Sequence, residues 1–373
     1  MWWDGKIQRT FRCRLQQKAG ALGRLLTAVG DRGGLIGEIR TIQMGGSAVD
    51  RDITVYADDL RHLEALVATV RSSPEVALLE VRDEVLEMHQ GGKIAIRSRY
   101  DISSLGTLRR VYTPGVAEVC LKIKDDPSLA RRFTSIRHLV AIVTDGTAVL
   151  GLGDIGPKAA MPVMEGKASL LETLTGLSGM PILLDTKDPD EIVETVVHMA
   201  PTFGAIQLED ISAPRCFSIE ERIQARVDVP VLHDDQHGTA VVVTATLINA
   251  ARAVGADLGR RRIGVVGLGA AGLALAKMLM FRFGNPVLGG DIAPDALDRL
   301  RQAGGQPSDL EAIMAGCDVV IATTGVPGLI KKERVRRGQI ILALSNPNPE
   351  IEPELALEAG AAFAADGKSV NNV

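Results

Sequence analysis

The stretch Arg262-Ile-Gly-Val-Val-Gly-Leu-Gly-Ala-Ala-Gly272 constrains this chain more than any other. Residues 263–266 read as a short buried strand, and Gly267, Gly269 and Gly272 supply Gly-x-Gly-x-x-Gly. The apolar run Leu273-Ala-Leu-Ala-Lys-Met-Leu-Met280 has the composition of a helix packed on a sheet. Glycines at such a strand-to-helix turn let the backbone approach a pyrophosphate, while unpaired amides and the helix dipole attract its charge. Nineteen residues beyond Gly272 stands Asp291, placed to accept hydrogen bonds from a ribose 2′-hydroxyl. A glycine-rich turn alone is common in α/β domains. Strand, helix and acid at this spacing point to a dinucleotide held by Gly267, Gly269, Ala270, Ala271, Gly272 and Asp291. Asp291 should repel a 2′-phosphate, and Ile292-Ala293-Pro294 offers no cation beside it, which favours NAD over NADP. Arg299 and Arg301 on the next helix are the nearest cations that could fold back.

Around that motif the chain alternates strands and helices as a doubly wound domain does, over residues 238–373. A long apolar helix is expected at 239–254, a helix near 308–315, and strands at 318–325 and 339–347. Residues 93–237 form a second α/β domain whose strands repeatedly end in a polar residue: Leu139 to Asp145, Pro181 to Asp185, Ala205 to Asp210 and Pro230 to Asp235. Ligands gather at the carboxyl ends of strands in open sheets, so these endings face one cleft. Residues 1–87 have a rhythm of their own, with strands at 7–15, 35–43, 48–57 and 76–86 and helices at 20–31 and 59–71. The order βαββαβ is the ferredoxin-like arrangement. A polar joint, Met88-His-Gln-Gly-Gly-Lys93, separates it from the rest.

A net charge of −4 without a basic block excludes a nucleic-acid footprint, and no apolar run reaches the roughly 18 residues of a membrane span. Cys13, Cys120, Cys216 and Cys317 form no Cys-x-x-Cys pair, which argues for a reducing cytoplasm and for core positions rather than a thiolate metal site. Three acids at strand ends stand out: Glu209, Asp210 and Asp235. An all-carboxylate set suits a hard cation such as Mg²⁺ or Mn²⁺; helix caps and solvated turns are the alternative. His233 and His237 flank Asp234-Asp235 and suit the orientation of neighbouring acids better than metal ligation.

Seven motifs occur in one order from about Tyr100 to the last residue: Tyr112-Thr-Pro-Gly-Val-Ala, Thr144-Asp-Gly with Leu150-Gly-Leu-Gly-Asp-Ile-Gly, Val163-Met-Glu-Gly-Lys, Leu208-Glu-Asp-Ile, His233-Asp-Asp-Gln-His-Gly-Thr-Ala, Ala343-Leu-Ser-Asn-Pro and Val370-Asn-Asn-Val. In this the chain resembles the malic enzymes, most of all the bacterial branch. The phrase Lys18-Ala-Gly-Ala-Leu-Gly-Arg-Leu-Leu followed by Asp31-Arg-Gly-Gly-Leu-Ile resembles an ACT domain.

The first resemblance implies oxidative decarboxylation of malate to pyruvate and CO₂ with NAD, or in a related branch conversion to lactate. It implies Glu209, Asp210 and Asp235 as ligands of Mg²⁺ or Mn²⁺, Tyr112 as general acid, Lys167 as general base, and Asn346 and Asn371 on the substrate carboxylate. A lysine base working near neutrality should have a lowered pKa, through desolvation or nearby cationic charge. Where larger members place a substrate-binding arginine, this chain has Ala148-Val149, and the family continues beyond Asn-Asn-Val, so a C-terminal truncation is expected. The second resemblance implies a homodimer or larger homo-oligomer. It leaves two roles open for the loop around Gly20: a site for an amino acid or other small effector, or turns in a dimerisation module.

Overall fold

The computed structural model describes residues 6–149, 151–346 and 348–368. The chain divides into two compact units, Met1–Lys93 and Ile94–Val373. In the first, strands β1 (Ile7–Gln16), β2 (Leu35–Gly45), β3 (Ala48–Ala57) and β4 (Val76–Arg82) form an antiparallel sheet in the order β2-β3-β1-β4. Alternation decides its two faces. Phe11, Cys13 and Leu15 of β1 and Ile53 and Val55 of β3 point to one side and close on Leu25 and Val29 of the helix Ala21–Gly30 and Leu63, Leu66 and Val70 of the helix Leu60–Arg71. On the opposite side Asp52, almost fully buried, takes Nε and Nη2 of Arg12 at 2.8 and 2.9 Å and Nη2 of Arg82 at 2.5 Å. The last strand is shorter than its sequence indicates. It ends at Arg82 because Asp83 accepts the N–H of Leu86 at 3.1 Å and starts a helix, Glu84–His89, inside the expected strand and joint.

The second unit holds two parallel sheets. Strands β5 (Leu139–Thr144), β6 (Ser178–Leu183), β7 (Ala205–Leu208) and β8 (Val231–His233) lie in the order β6-β5-β7-β8. Strands β9 (Ile263–Val266), β10 (Leu288–Gly290), β11 (Gln306–Pro307), β12 (Val319–Ala322), β13 (Ile340–Ala343) and β14 (Phe363–Asp366) lie in the order β11-β10-β9-β12-β13-β14. Relabelled from one, that is 3-2-1-4-5-6, the dinucleotide-binding order with its switch point between the first and fourth strands. The helix Pro353–Glu358 and β14 were not anticipated: four residues, Phe-Ala-Ala-Asp, give too short an apolar signal to read as a strand.

A 20-residue helix, Asp234–Ala253, joins the sheets. Its Ala240, Val243, Leu247, Ala250 and Ala251 are buried with Leu268, Leu273, Leu275 and Leu279 in the core of the six-stranded sheet. It starts five residues earlier than expected, directly from β8. Among the described residues no helix is long and apolar enough to cross a membrane. Cys13, Cys216 and Cys317 are buried, whereas Cys120 is exposed, on a helix (Val116–Asp125) that buries none of its side chains.

Candidate active site

The carboxyl ends of β7 and β8 converge. Glu209 and Asp210 follow β7, and Asp235 lies in the first turn of the helix that follows β8. A carboxylate oxygen from each lies within 4.8 Å of the other two. Asp210 adopts φ 55°, a conformation that L-residues rarely hold, and its backbone N–H donates to Asp235 Oδ2 at 3.0 Å. Strain of this kind persists only where the surroundings enforce it.

Burial of so much negative charge has an electrostatic signature. Burial pushes the Glu209 carboxyl up to about 8, with Asp235 and Asp234 adding to the rise and Lys167 opposing it. Burial also raises Asp235, against the opposing pull of His233. Carboxylates crowded in this way fit a hard divalent cation, whose charge would favour their ionised forms.

Lys167 projects from the helix Pro157–Thr175, its ammonium 3.1 Å from Glu209 Oε1 and hydrogen-bonded to Asp234 Oδ2. Its pKa is raised, not lowered as the sequence led us to expect. Desolvation by burial does pull it down, but the carboxylates of Glu209 and Asp234 outweigh that. Asp234, noticed in the sequence only as a neighbour of Asp235, is therefore a direct partner of Lys167. Gln207, two residues before Glu209 on the same strand face, donates Nε2 to Glu209 Oε2 at 2.7 Å. Strand alternation was the available signal for it.

His237 pairs with Glu220 at 2.9 Å, and His233 is fully buried with Nδ1 3.8 Å from Asp235 Oδ2; neither belongs to the three-acid cluster. Glu220, unmarked in the sequence, also accepts the N–H of His233 at 2.8 Å and Nε2 of Gln236 at 3.0 Å, anchoring the segment that carries Asp234 and Asp235. Tyr112 caps the helix Leu105–Val111 and is exposed; among the described residues no hydrogen bond or ion pair joins its side chain to the acids. Asn346 is exposed and donates Nδ2 to Gly367 O at 3.0 Å. Asn371 lies outside the described residues.

In the six-stranded sheet Gly269 caps the helix Ala270–Phe283, whose first turn contains Ala270, Ala271 and Gly272. Gly267 has φ 88°, and a Cβ on Gly272 would stand 1.8 Å from Gly267 O, so the turn admits no side chain at Gly272. A Cβ on Gly269 would meet nothing within 4 Å, which leaves the helix start open to a ligand. Asp291 follows β10; Oδ2 accepts the N–H of Leu268 at 2.6 Å and Oδ1 that of Ala293 at 2.8 Å. The acid thus also ties down the glycine turn, with lone pairs to spare for a ribose. Arg299 stacks on Phe217 at 5.4 Å and Arg301 pairs with Asp298, so both arginines have partners of their own.

Residues 99–224 match the family described as the malic enzyme N-terminal domain, and residues 234–333 the NAD binding domain of D-isomer specific 2-hydroxyacid dehydrogenases. The chain is 54% identical to NAD-dependent malic enzyme 1 of Bacillus subtilis, over 98% of this chain and 84% of that one. It is 42% identical to the NAD-dependent malic enzyme of Geobacillus stearothermophilus, over 98% and 80%. The crystal structure of the NAD-dependent malic enzyme of Thermotoga maritima superposes with a TM-score of 0.72 at 37% identity, covering 77% of this chain and 81% of that one. Sheet order, acid cluster and relatives agree: this chain belongs to the malic enzyme family.

Proposed function

We propose that this protein oxidises (S)-malate with NAD and releases CO₂, leaving pyruvate. The observation that carries this reading is the convergence of Glu209, Asp210 and Asp235 within 4.8 Å, beside Lys167, in a chain whose other sheet has the dinucleotide order. Glu209, Asp210 and Asp235 would hold Mg²⁺ or Mn²⁺, and the turn of Gly267, Gly269, Ala270, Ala271 and Gly272 with Asp291 would hold NAD. When bound, the cation supplies a Lewis acid for the C2 oxygen and offsets the carboxylate charge that otherwise holds Lys167 protonated, and NAD supplies the hydride acceptor. Lys167 Nζ takes the proton of the C2 hydroxyl, and Tyr112 Oη returns one to C3 after CO₂ has left. Asn346 and Asn371 orient the substrate carboxylate.

Residues 1–87 we read as an ACT-like module, a support for a homodimer or larger assembly and a site for an amino acid or other small effector. Four cysteines without a disulfide suit a reducing cytoplasm. The test is a single incubation of the purified chain with (S)-malate, NAD and Mn²⁺. NADH and pyruvate in equal amounts are expected. Lactate without net NADH would reassign the chain to the malolactic reaction, and no consumption of malate would sink both.

A further inference from the structure

Glu350 follows β13 and is fully buried. Its Oε1 accepts from Thr324 N–H at 2.6 Å, Thr324 Oγ1 at 2.8 Å and Ser345 Oγ at 2.6 Å, and its Oε2 accepts from Ser345 N–H at 3.3 Å. Ser345 Oγ in turn accepts the N–H of Gly325 at 2.8 Å. These partners are all neutral. Burying a carboxylate is costly, and here the cost is offset because it gives an acceptor to four donors that an apolar side chain would leave unpaired.

It joins the turns that close β12 and β13, at the carboxyl ends of adjacent strands where ligands collect in open α/β sheets. On one side, Thr323 Oγ1 donates to Gly267 O at 3.0 Å, and the Cβ position of Gly272 lies 2.8 Å from Thr323 Oγ1, so the dinucleotide turn rests on the β12 turn. On the other side, Asn346 directly follows Ser345. We infer that Glu350 is a positioning residue that fixes the dinucleotide turn and Asn346 in one register, and so couples the affinities for NAD and malate. The inference rests on the functional reading above, since it takes NAD to bind at Gly267 and malate at Asn346.

Glu350→Gln keeps the size of the side chain but replaces one accepting oxygen by an NH₂ donor and removes the carboxylate charge, so that at least the bond from Ser345 N–H is lost and those from Thr324 and Ser345 Oγ are weakened. NAD affinity, measured by calorimetry without malate, should fall about tenfold or more, and the KM for malate should rise on the order of 10²-fold, with the circular dichroism of the fold retained. Ser345→Ala is the milder variant, removing only the bridge from Glu350 to Gly325, and should move both quantities in the same direction. It decides the matter if Glu350→Gln fails to fold. In an Asn346→Ala background, Glu350→Gln should add little to the malate KM, because it acts through that asparagine. Unchanged NAD affinity and malate KM would overturn the inference, as would a change in only one of them or full additivity with Asn346→Ala. A wild-type chain that neither consumes malate nor binds NAD would instead overturn the functional reading.

Discussion

The backbone N–H of Asp210 donates to the Oδ2 of Asp235 at 3.0 Å, across 25 positions of sequence, and so links the ends of β7 and β8. The bond gives one acid a fixed position relative to the other before any ligand arrives. It leaves Asp235 Oδ1 with no part in that link, available to a cation.

Asp235→Ala should therefore abolish turnover and Mn²⁺ binding while leaving NAD affinity near that of the wild type, since the glycine turn belongs to another sheet. Calorimetry with each ligand separates the two. Full malate oxidation by this variant in chelator-treated buffer would rule out Asp235 as a ligand.

Lys167→Ala should lose malate oxidation, whereas Tyr112→Phe should be damaged most in protonation at C3, each by roughly 10²- to 10⁴-fold. Exchange of solvent tritium into pyruvate isolates the second step. Wild-type exchange by Tyr112→Phe would remove Tyr112 from the role of acid.

The dinucleotide preference is open to the same kind of test. With Arg299 on Phe217 and Arg301 on Asp298, no cation of the helix Pro294–Gln302 is committed to a 2′-phosphate, and NAD should exceed NADP in kcat/KM. Asp291→Ser should narrow that gap, and should also weaken NAD, because Leu268 N–H loses its acceptor. An unchanged preference would assign discrimination to other residues.

Asp52 predicts an acid limit for the first unit. Its hydrogen bond to Arg12, and the charges of Arg82 and Arg12, hold its carboxyl below the ordinary value. The folded pKa being depressed, the contribution is complete above the unfolded carboxylate value of about 3.9 and is lost as pH falls through the lower folded value. Asp52→Asn should cost about 1–3 kcal/mol at neutral pH and show less difference from wild type in strong acid. Hydrogen exchange of the β1 and β3 amides reports it.

What the sequence disclosed follows the range of the forces involved. The turn at Gly267 to Gly272 was legible because a Cβ at Gly272 collides with an oxygen only five residues away. The acids were legible because each stands within two residues of a strand's carboxyl end, Glu209 and Asp210 after β7 and Asp235 after β8. The partners were not: Asp234 meets Lys167 across 67 positions, and Glu220 reaches His233 across 13, distances that only tertiary packing closes. The rise in the pKa of Lys167 was illegible for the same reason, being set by carboxylates that converge only in the fold. The β4 boundary failed locally, because Asp83 turns an apolar run into a helix start.

The helix Asp234–Ala253 is about 30 Å long and has its two ends in different company. Its first turn carries Asp234 and Asp235 beside β8, while its body is embedded in the core of the six-stranded sheet. One continuous helix thus belongs to both sheets, and a substitution that shifts Leu247 or Ala250 in the core of the six-stranded sheet acts on the same rigid rod that carries Asp235.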